Sequence, residues 1–296
     1  MHMANVPSTL YKYVTPERID ILNNLNIRFT QPSALNDPFE FNLSFRELIS
    51  STQLHDHFSN IGVEQTFQNI LNKMTADEKA IINSLPSEQL TTLKNDLANN
   101  FFSLSNIEKL NNTHISPNTA RVKNELYSGL DTTIGVLSLT PNCSSPSMWA
   151  NYADNSKGFV IGFDTQNIFF NRRRSKSDEF YHLRKVIYDD IPPAENLSEM
   201  NGNLLILKNK CWDYEDEWRM LLPLNTANTE FNTDEGNKIS LFNYPATAIS
   251  HIIFGMNATK STIENITKAI TNINPNSQIK IFKATKGATT FEITPI

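Results

Sequence analysis

Hydrophobic and polar positions follow two different periods along the chain. Leu10-Tyr11-Lys12-Tyr13-Val14 reads as a short strand. Thr15-Pro16-Glu17-Arg18 then supplies an N-cap, a proline at the first helical position and an acid in the first turn, which predicts a short helix through Asn23. Ile27-Arg28-Phe29 reads as a second strand running toward the polar turn Asn36-Asp37-Pro38-Phe39-Glu40. Asn36 and Asp37 can bond backbone amides there, while Pro38 holds Asp37 out of the helical region.

From about residue 62 to 112 the spacing becomes helical, with Phe67, Ile70, Leu71 and Met74 on one face and Leu90, Leu93, Leu97, Phe101 and Leu104 on another. This predicts a helical insertion or subdomain, bounded at 50–130, within a single domain spanning 4–296. It is rich in Asn, Gln, Ser and Thr and reads as packing or partner surface.

After a helix near Arg121 to Leu130, a buried strand is expected over Ile134–Thr140 and a helix over Ser147–Ala153. Trp149 and Tyr152 share a face of that helix and either border a pocket or pack in the core. Phe159–Asp164 and Arg184–Tyr188 read as strands, and Asn196–Lys208 as a helix. The C-terminal part alternates strand, helix, strand, strand over Ala248–Gly255, Thr259–Ile273, Gln278–Lys283 and Thr290–Pro295. The fold class is α+β, with a mixed or antiparallel sheet core and a helical insertion.

The densest chemistry lies between Lys208 and Leu222. Taken as a strand, Tyr214–Leu222 sends Glu215, Glu217 and Arg219 to one face and Tyr214, Asp216 and Trp218 to the other. Either the acids are solvated and Arg219 makes a surface ion pair, or the three are buried together and perturb one another.

Composition narrows the function classes. A net charge of -5 over 296 residues argues against a surface built to neutralise phosphates. Arg172, Arg173 and Arg174, beside Phe169 and Phe170, still allow a local nucleic-acid contact, although such a loop is also consistent with plain solvation. Cys143 and Cys211 have no metal-ligand spacing, and His55 and His57 lack further ligands, so no metal is expected. With no membrane-spanning run and no leader signal, a cytoplasmic protein without a membrane partner is expected. Glycine-rich phosphate loops, dinucleotide fingerprints and nucleophile elbows are absent.

Several motifs carry a family resemblance: Leu10-Tyr11-Lys12-Tyr13, Asn36-Asp37-Pro38-Phe39-Glu40, Leu137-Ser138-Leu139-Thr140, Met148-Trp149-Ala150-Asn151-Tyr152-Ala153, Lys157-Gly158-Phe159 and Trp212-Asp213-Tyr214-Glu215-Asp216-Glu217-Trp218-Arg219. In this order they resemble a bacterial family known only as a domain of unknown function. The order is also similar to that of ADP-ribosyltransferases, which carry a His or Arg on a first strand, a hydroxyl or Tyr element in the middle and an essential Glu, sometimes Glu-x-Glu, on a late strand. Glu215-Asp216-Glu217 matches the last element, and Ser138 or Tyr152 the middle one. Lys12 stands where His or Arg is expected, with Arg28 nearby.

The resemblance implies NAD as substrate. Glu217 would stabilise the cationic ribose, Glu215 would activate the acceptor and Tyr152 would stack on nicotinamide. Lys12 or Arg28 would hold the pyrophosphate or adenosine side, with Tyr11, Asn36, Asp37, Ser138, Trp149 and Arg219 completing the site. A toxin or phage-defence effector is the implied setting. The rival expectations are a non-enzymatic binding or sensor module and a nucleic-acid-acting defence protein.

Overall fold

The computed structural model describes residues 5–41, 45–101, 103–190, 194–197, 202–234, 237–273 and 279–296, without the side chains of 58–63, 66, 97–99, 101, 194, 195, 202 and 203. The expected Leu97 and Phe101 helix contacts therefore lie outside the described residues. The elements run β1 (Thr9–Val14), α1 (Asp20–Asn23), β2 (Asn26–Phe29), β3 (Phe45–Glu47), α2 (Ser51–Lys73), α3 (Ala76–Asn83), α4 (Ser87–Phe101), α5 (Leu104–Leu110), α6 (Thr119–Thr133), β4 (Ile134–Leu139), α7 (Pro146–Tyr152) and β5 (Phe159–Asp164). They continue with β6 (Leu183–Lys185), β7 (Ile187–Tyr188), β8 (Ala194–Asn196), β9 (Leu207–Lys208), β10 (Trp218–Pro223), β11 (Thr229–Asn232), β12 (Lys238–Asn243), β13 (Ile249–Phe254), α8 (Lys260–Ile273), β14 (Lys280–Lys286) and β15 (Phe291–Pro295). The class is α+β with mixed and antiparallel sheets. Among the described residues no helix is long and apolar enough to cross a membrane.

The chain divides into two compact units: Met1–Asn42, Tyr127–Ile191 and Gly202–Ile296 form the first, Leu43–Leu126 and Pro192–Asn201 the second. In the first, a five-stranded sheet in the order β1-β5-β13-β14-β15 is antiparallel except for β13 and β14. Those two are parallel because α8 returns the chain between them, and its Ile266, Ala269 and Ile270 pack into the core with Ile252 and Phe254. Gly158 opens β5 because a Cβ there would lie 2.1 Å from the carbonyl oxygen of Val14 on the neighbouring strand.

Two smaller antiparallel sheets, β4-β10-β6 and β11-β12-β2, and the short parallel pair β7-β9 complete this unit. Single bridges tie the sheets together at β4. Thr140 exchanges backbone hydrogen bonds with Tyr11 at 2.7 and 3.1 Å, and Val136 does so with Thr30 at 2.8 Å in both directions. Strand β4 thus runs from the end of β2 to the middle of β1, and Val136, Ser138 and Thr140 share the face that lines the site described below.

The second unit is mainly helical. Capping boxes start α2 at Ser50 with Gln53 and α3 at Thr75 with Glu78. Helix α2 packs on α4 and α5, Phe67 and Ile107 are buried, and Lys94 pairs with Glu64 at 2.6 Å while lying over the Phe67 ring. The buried Asn111 donates to the Ile49 carbonyl and the Ser51 hydroxyl, both at 3.1 Å.

Two expected elements differ. Instead of a helix over Asn196–Lys208, Asn196 ends β8, residues 198–201 lie outside the described set, and Gly202–Ile206 makes a 3-10 turn before the two-residue β9. Gly202 and Asn203 favour turns over a sustained helix. The strand expected from Tyr214 begins only at Trp218. Asn209 accepts a hydrogen bond from the Cys211 amide at 2.9 Å and starts a 3-10 turn over Lys210–Glu215, which Asp216 ends in the left-handed conformation at φ 49°.

Candidate functional site

Strands β1 and β4, the 34–40 loop, α7 and the turn before β10 enclose a cavity of about 210 Å³. Its polar wall carries Lys12, Asn36, Glu40, Ser138, Tyr152, Lys208, Glu215 and Glu217. The cavity also takes in Tyr11, whose ring edge meets His251.

Behind this wall lies a buried ionic network. Arg219, fully buried on β10, places Nε 2.6 Å from one Glu217 oxygen and Nη2 3.1 Å from the other; Nη2 also lies 2.6 Å from Glu40 Oε2. Lys208 Nζ lies 2.6 Å from Glu215, 3.0 Å from Glu217 and 2.9 Å from Glu40 Oε1. The Glu40 contact is a close charge pair out of line for a hydrogen bond, and Glu40 Oε1 accepts none.

Two cations against three carboxylates leave an excess negative charge, which the network distributes unevenly. Burial opposes the charge on Glu217, but Arg219 and Lys208 outweigh it and hold this carboxyl down at about 2. Burial wins at Glu40, whose carboxyl is pushed up despite its two cations. Lys208 and Arg219 are held firmly protonated, since the carboxylates around them outweigh burial. Replacing such a group without its partner costs far more than the pair contributes.

Glu215 differs from its neighbours. One oxygen is anchored on Lys208, and the other accepts a short hydrogen bond from the Tyr152 hydroxyl. That hydroxyl in turn accepts from Asn36 Nδ2 at 2.5 Å. Burial and then the Glu215 carboxylate push the Tyr152 phenol up, so it stays a neutral donor. Lys12 donates to the Ser138 carbonyl at 3.1 Å, and burial pushes its amine down to about 8 against the pull of Glu217 and Glu215.

Of the residues singled out in the sequence, Tyr11, Lys12, Asn36, Ser138, Tyr152, Glu215 and Glu217 share the cavity, and Arg219 supports it from behind. Trp149 is a core residue, with its indole nitrogen donating to the Cys143 carbonyl at 2.9 Å and its ring packed on Tyr13 and Phe291. Asp37 is buried in the turn and accepts from the Phe39 amide at 2.9 Å. Arg28 sits on β2, outside the lining. Arg172 and Arg174 lie over the Tyr181 ring, and Arg173 donates to the Asp178 carbonyl at 3.1 Å, so the basic run braces its own loop. Glu40 and Lys208 are central although the sequence marks neither as a site residue. Each has an ordinary local reading, as the acid that closes the 36–40 turn and the cation that opens the central stretch, and the partner that gives Glu40 its place, Arg219, lies 179 residues away.

The segment supplying Tyr152, Lys208, Glu215, Glu217 and Arg219 is also the one that comparison picks out. Residues 148–220 match the model of the DUF2971 family, described as a protein of unknown function. No curated protein and no solved structure matches the chain. The DUF2971 match holds α7 and the Lys208–Arg219 half of the network, whereas Tyr11, Lys12, Asn36, Glu40 and Ser138 reach the cavity from outside it.

Proposed function

We propose that the cavity is an ADP-ribosyltransferase-like site for NAD, with Glu215 as the carboxylate facing the reacting ribose. The observation carrying this reading is the chain Asn36–Tyr152–Glu215 on the cavity wall: a carboxylate fixed at one oxygen by a buried lysine and held at the other by a neutral phenol. Nicotinamide leaves as a neutral molecule with the bonding electron pair, so the site needs no acid. It needs a preorganised negative group where C1′ becomes cationic, a contribution on the order of 2.7–4 kcal/mol. The acceptor's nitrogen or oxygen then bonds to C1′ and releases its proton through Glu215 to solvent. Glu217, with both oxygens held by Arg219 and one also by Lys208, fits a supporting role. Such an enzyme would act as a toxin or phage-defence effector.

The buried ionic network, in which each carboxylate lies against a cation, favours a second reading, a binding or sensor module without turnover. Incubation with NAD, following nicotinamide release by mass spectrometry alongside the melting temperature, separates the two. Release that is lost in Glu215→Gln supports the transferase, and a ligand-dependent rise in melting temperature without release supports the sensor. If NAD neither reacts nor stabilises, both NAD readings fall.

A further inference from the structure

The cavity wall carries two lysines in opposite situations. Lys208 Nζ has oxygens of Glu215, Glu217 and Glu40 at 2.6, 3.0 and 2.9 Å, and these carboxylates hold it protonated, with no lone pair to offer. Lys12 reaches the same cavity from β1 with no ion-pair partner among the described residues. Its hydrogen bond goes to the Ser138 carbonyl at 3.1 Å. A carbonyl accepts from a neutral amine as well as from an ammonium, so this contact orients Nζ without requiring a charge on it. Ser138 turns its hydroxyl to Glu217 instead, joining the amine to the network without a salt bridge.

Leu35, Val136, Leu139 and Met148 form the apolar part of the wall. Burial weakens the hold of the Lys12 amine on its proton, Glu217 and Glu215 strengthen it, Arg18 and Arg28 weaken it, and the balance stands at about 8. A desolvated lysine that is partly neutral near pH 7 is suited to attack a carbonyl carbon. The polar part of the wall, with Thr30, Asn36, Tyr152 and Glu215, offers hydrogen-bond partners for hydroxyl groups.

We infer that Lys12 is a nucleophile, an amine that captures the carbonyl group of a hydroxy-aldehyde as an imine. The nitrogen lone pair bonds to the carbonyl carbon while the C=O pair moves onto oxygen. Two protons then pass from nitrogen to that oxygen, through Glu215 or solvent, and it departs as water as the C=N bond forms. No oxidant or further reactant is needed. NAD opened by water leaves a ribose whose ring opens to an aldehyde at C1′, the carbon placed above at Glu215. That source of aldehyde rests on the NAD reading; the nucleophile does not.

Glyceraldehyde, a hydroxy-aldehyde too short to close a stable ring, tests Lys12 when the full chain is incubated with it and cyanoborohydride, which reduces an imine to a stable secondary amine. Peptide mass spectrometry at pH 7 should find Lys12 modified at least about 10-fold faster than any exposed lysine, because an amine at about 8 is far more often neutral than one at 10.5. The rate should saturate with glyceraldehyde concentration, and propanal, which lacks the hydroxyls, should react more slowly and without saturation. In Lys12→Arg the fast modification should vanish while the melting temperature holds. Lys12 modified no faster than exposed lysines overturns the nucleophile, and equal rates with propanal overturn the hydroxy-aldehyde. Fast Lys12 modification in a protein that releases no nicotinamide from NAD would uphold the nucleophile and overturn the transferase. Nicotinamide release with an unreactive Lys12 would do the opposite.

Discussion

At the scale of single residues, Glu215 and Glu217 lie two apart in sequence and are held differently enough to separate by substitution. Glu217→Gln leaves the Arg219 guanidinium buried against half of its former charge, so the variant should lose roughly 3–5 kcal/mol of stability, read from denaturant midpoints. Glu215→Gln leaves Lys208 with Glu40 and Glu217, so the fold should survive better; if the proposed chemistry holds, turnover should fall by a factor on the order of 100 to 1,000. A Glu217→Gln protein that melts like the parent would remove the structural role assigned here.

Lys12 supplies a pH test. Its folded value of about 8 lies below the ordinary 10.5, so between these pH values the unfolded chain binds more protons than the native one, and stability rises with pH. The rise should reach up to ~3 kcal/mol by pH 10.5 and be missing from Lys12→Met, where no proton is exchanged. Parallel slopes for the two proteins would mean that Lys12 is not desolvated. Much at this scale was legible: adjacent acids, an arginine and a tyrosine at a helix end are unusual enough to single out. Glu40 and Lys208 were not legible, because an acid in a polar turn and a lysine before one have ordinary local explanations.

At the scale of elements, the decisive feature is the junction before β10. A strand through Tyr214–Leu222 would place Glu215, Glu217 and Arg219 together by alternation alone. The protein brings them together differently, with Glu215 at the end of a 3-10 turn, Asp216 reversing the backbone and Glu217 leading into the strand. The residue types fit both arrangements, and only Asn209, a capping residue, hinted at the turn. Asp216 is the residue that can be tested. Its left-handed φ of 49° favours glycine, and its side chain makes an exposed ion pair with Lys185. Asp216→Gly and Asp216→Ala both lose that pair, so their difference isolates the backbone. The alanine variant should be less stable by ~1–2 kcal/mol, and equal midpoints would show that the junction relaxes. The strands Ile134–Leu139 and Phe159–Asp164 were far easier to read, being apolar runs bounded by turn residues.

At the scale of the whole molecule, the polar helical stretch was legible because its period changes abruptly. The sheet order was not, since β1 pairs with β5 and β10 with β4 across long sequence separations that no local pattern records. Every residue lining the cavity belongs to the first unit. The points where the chain leaves and re-enters that unit are also linked, since Phe41 and Tyr127 pack in one apolar cluster with Val136 and Leu221. A short glycine-serine linker in place of residues 43–126 therefore asks little of the first unit's backbone, because closure entropy grows only slowly with loop length. The shortened protein should keep a cooperative unfolding transition and the same ligand-dependent shift in melting temperature as the full chain. Loss of the shift with the transition intact would mean that the helical unit contributes to the site, and loss of both would mean that the first unit does not fold without it.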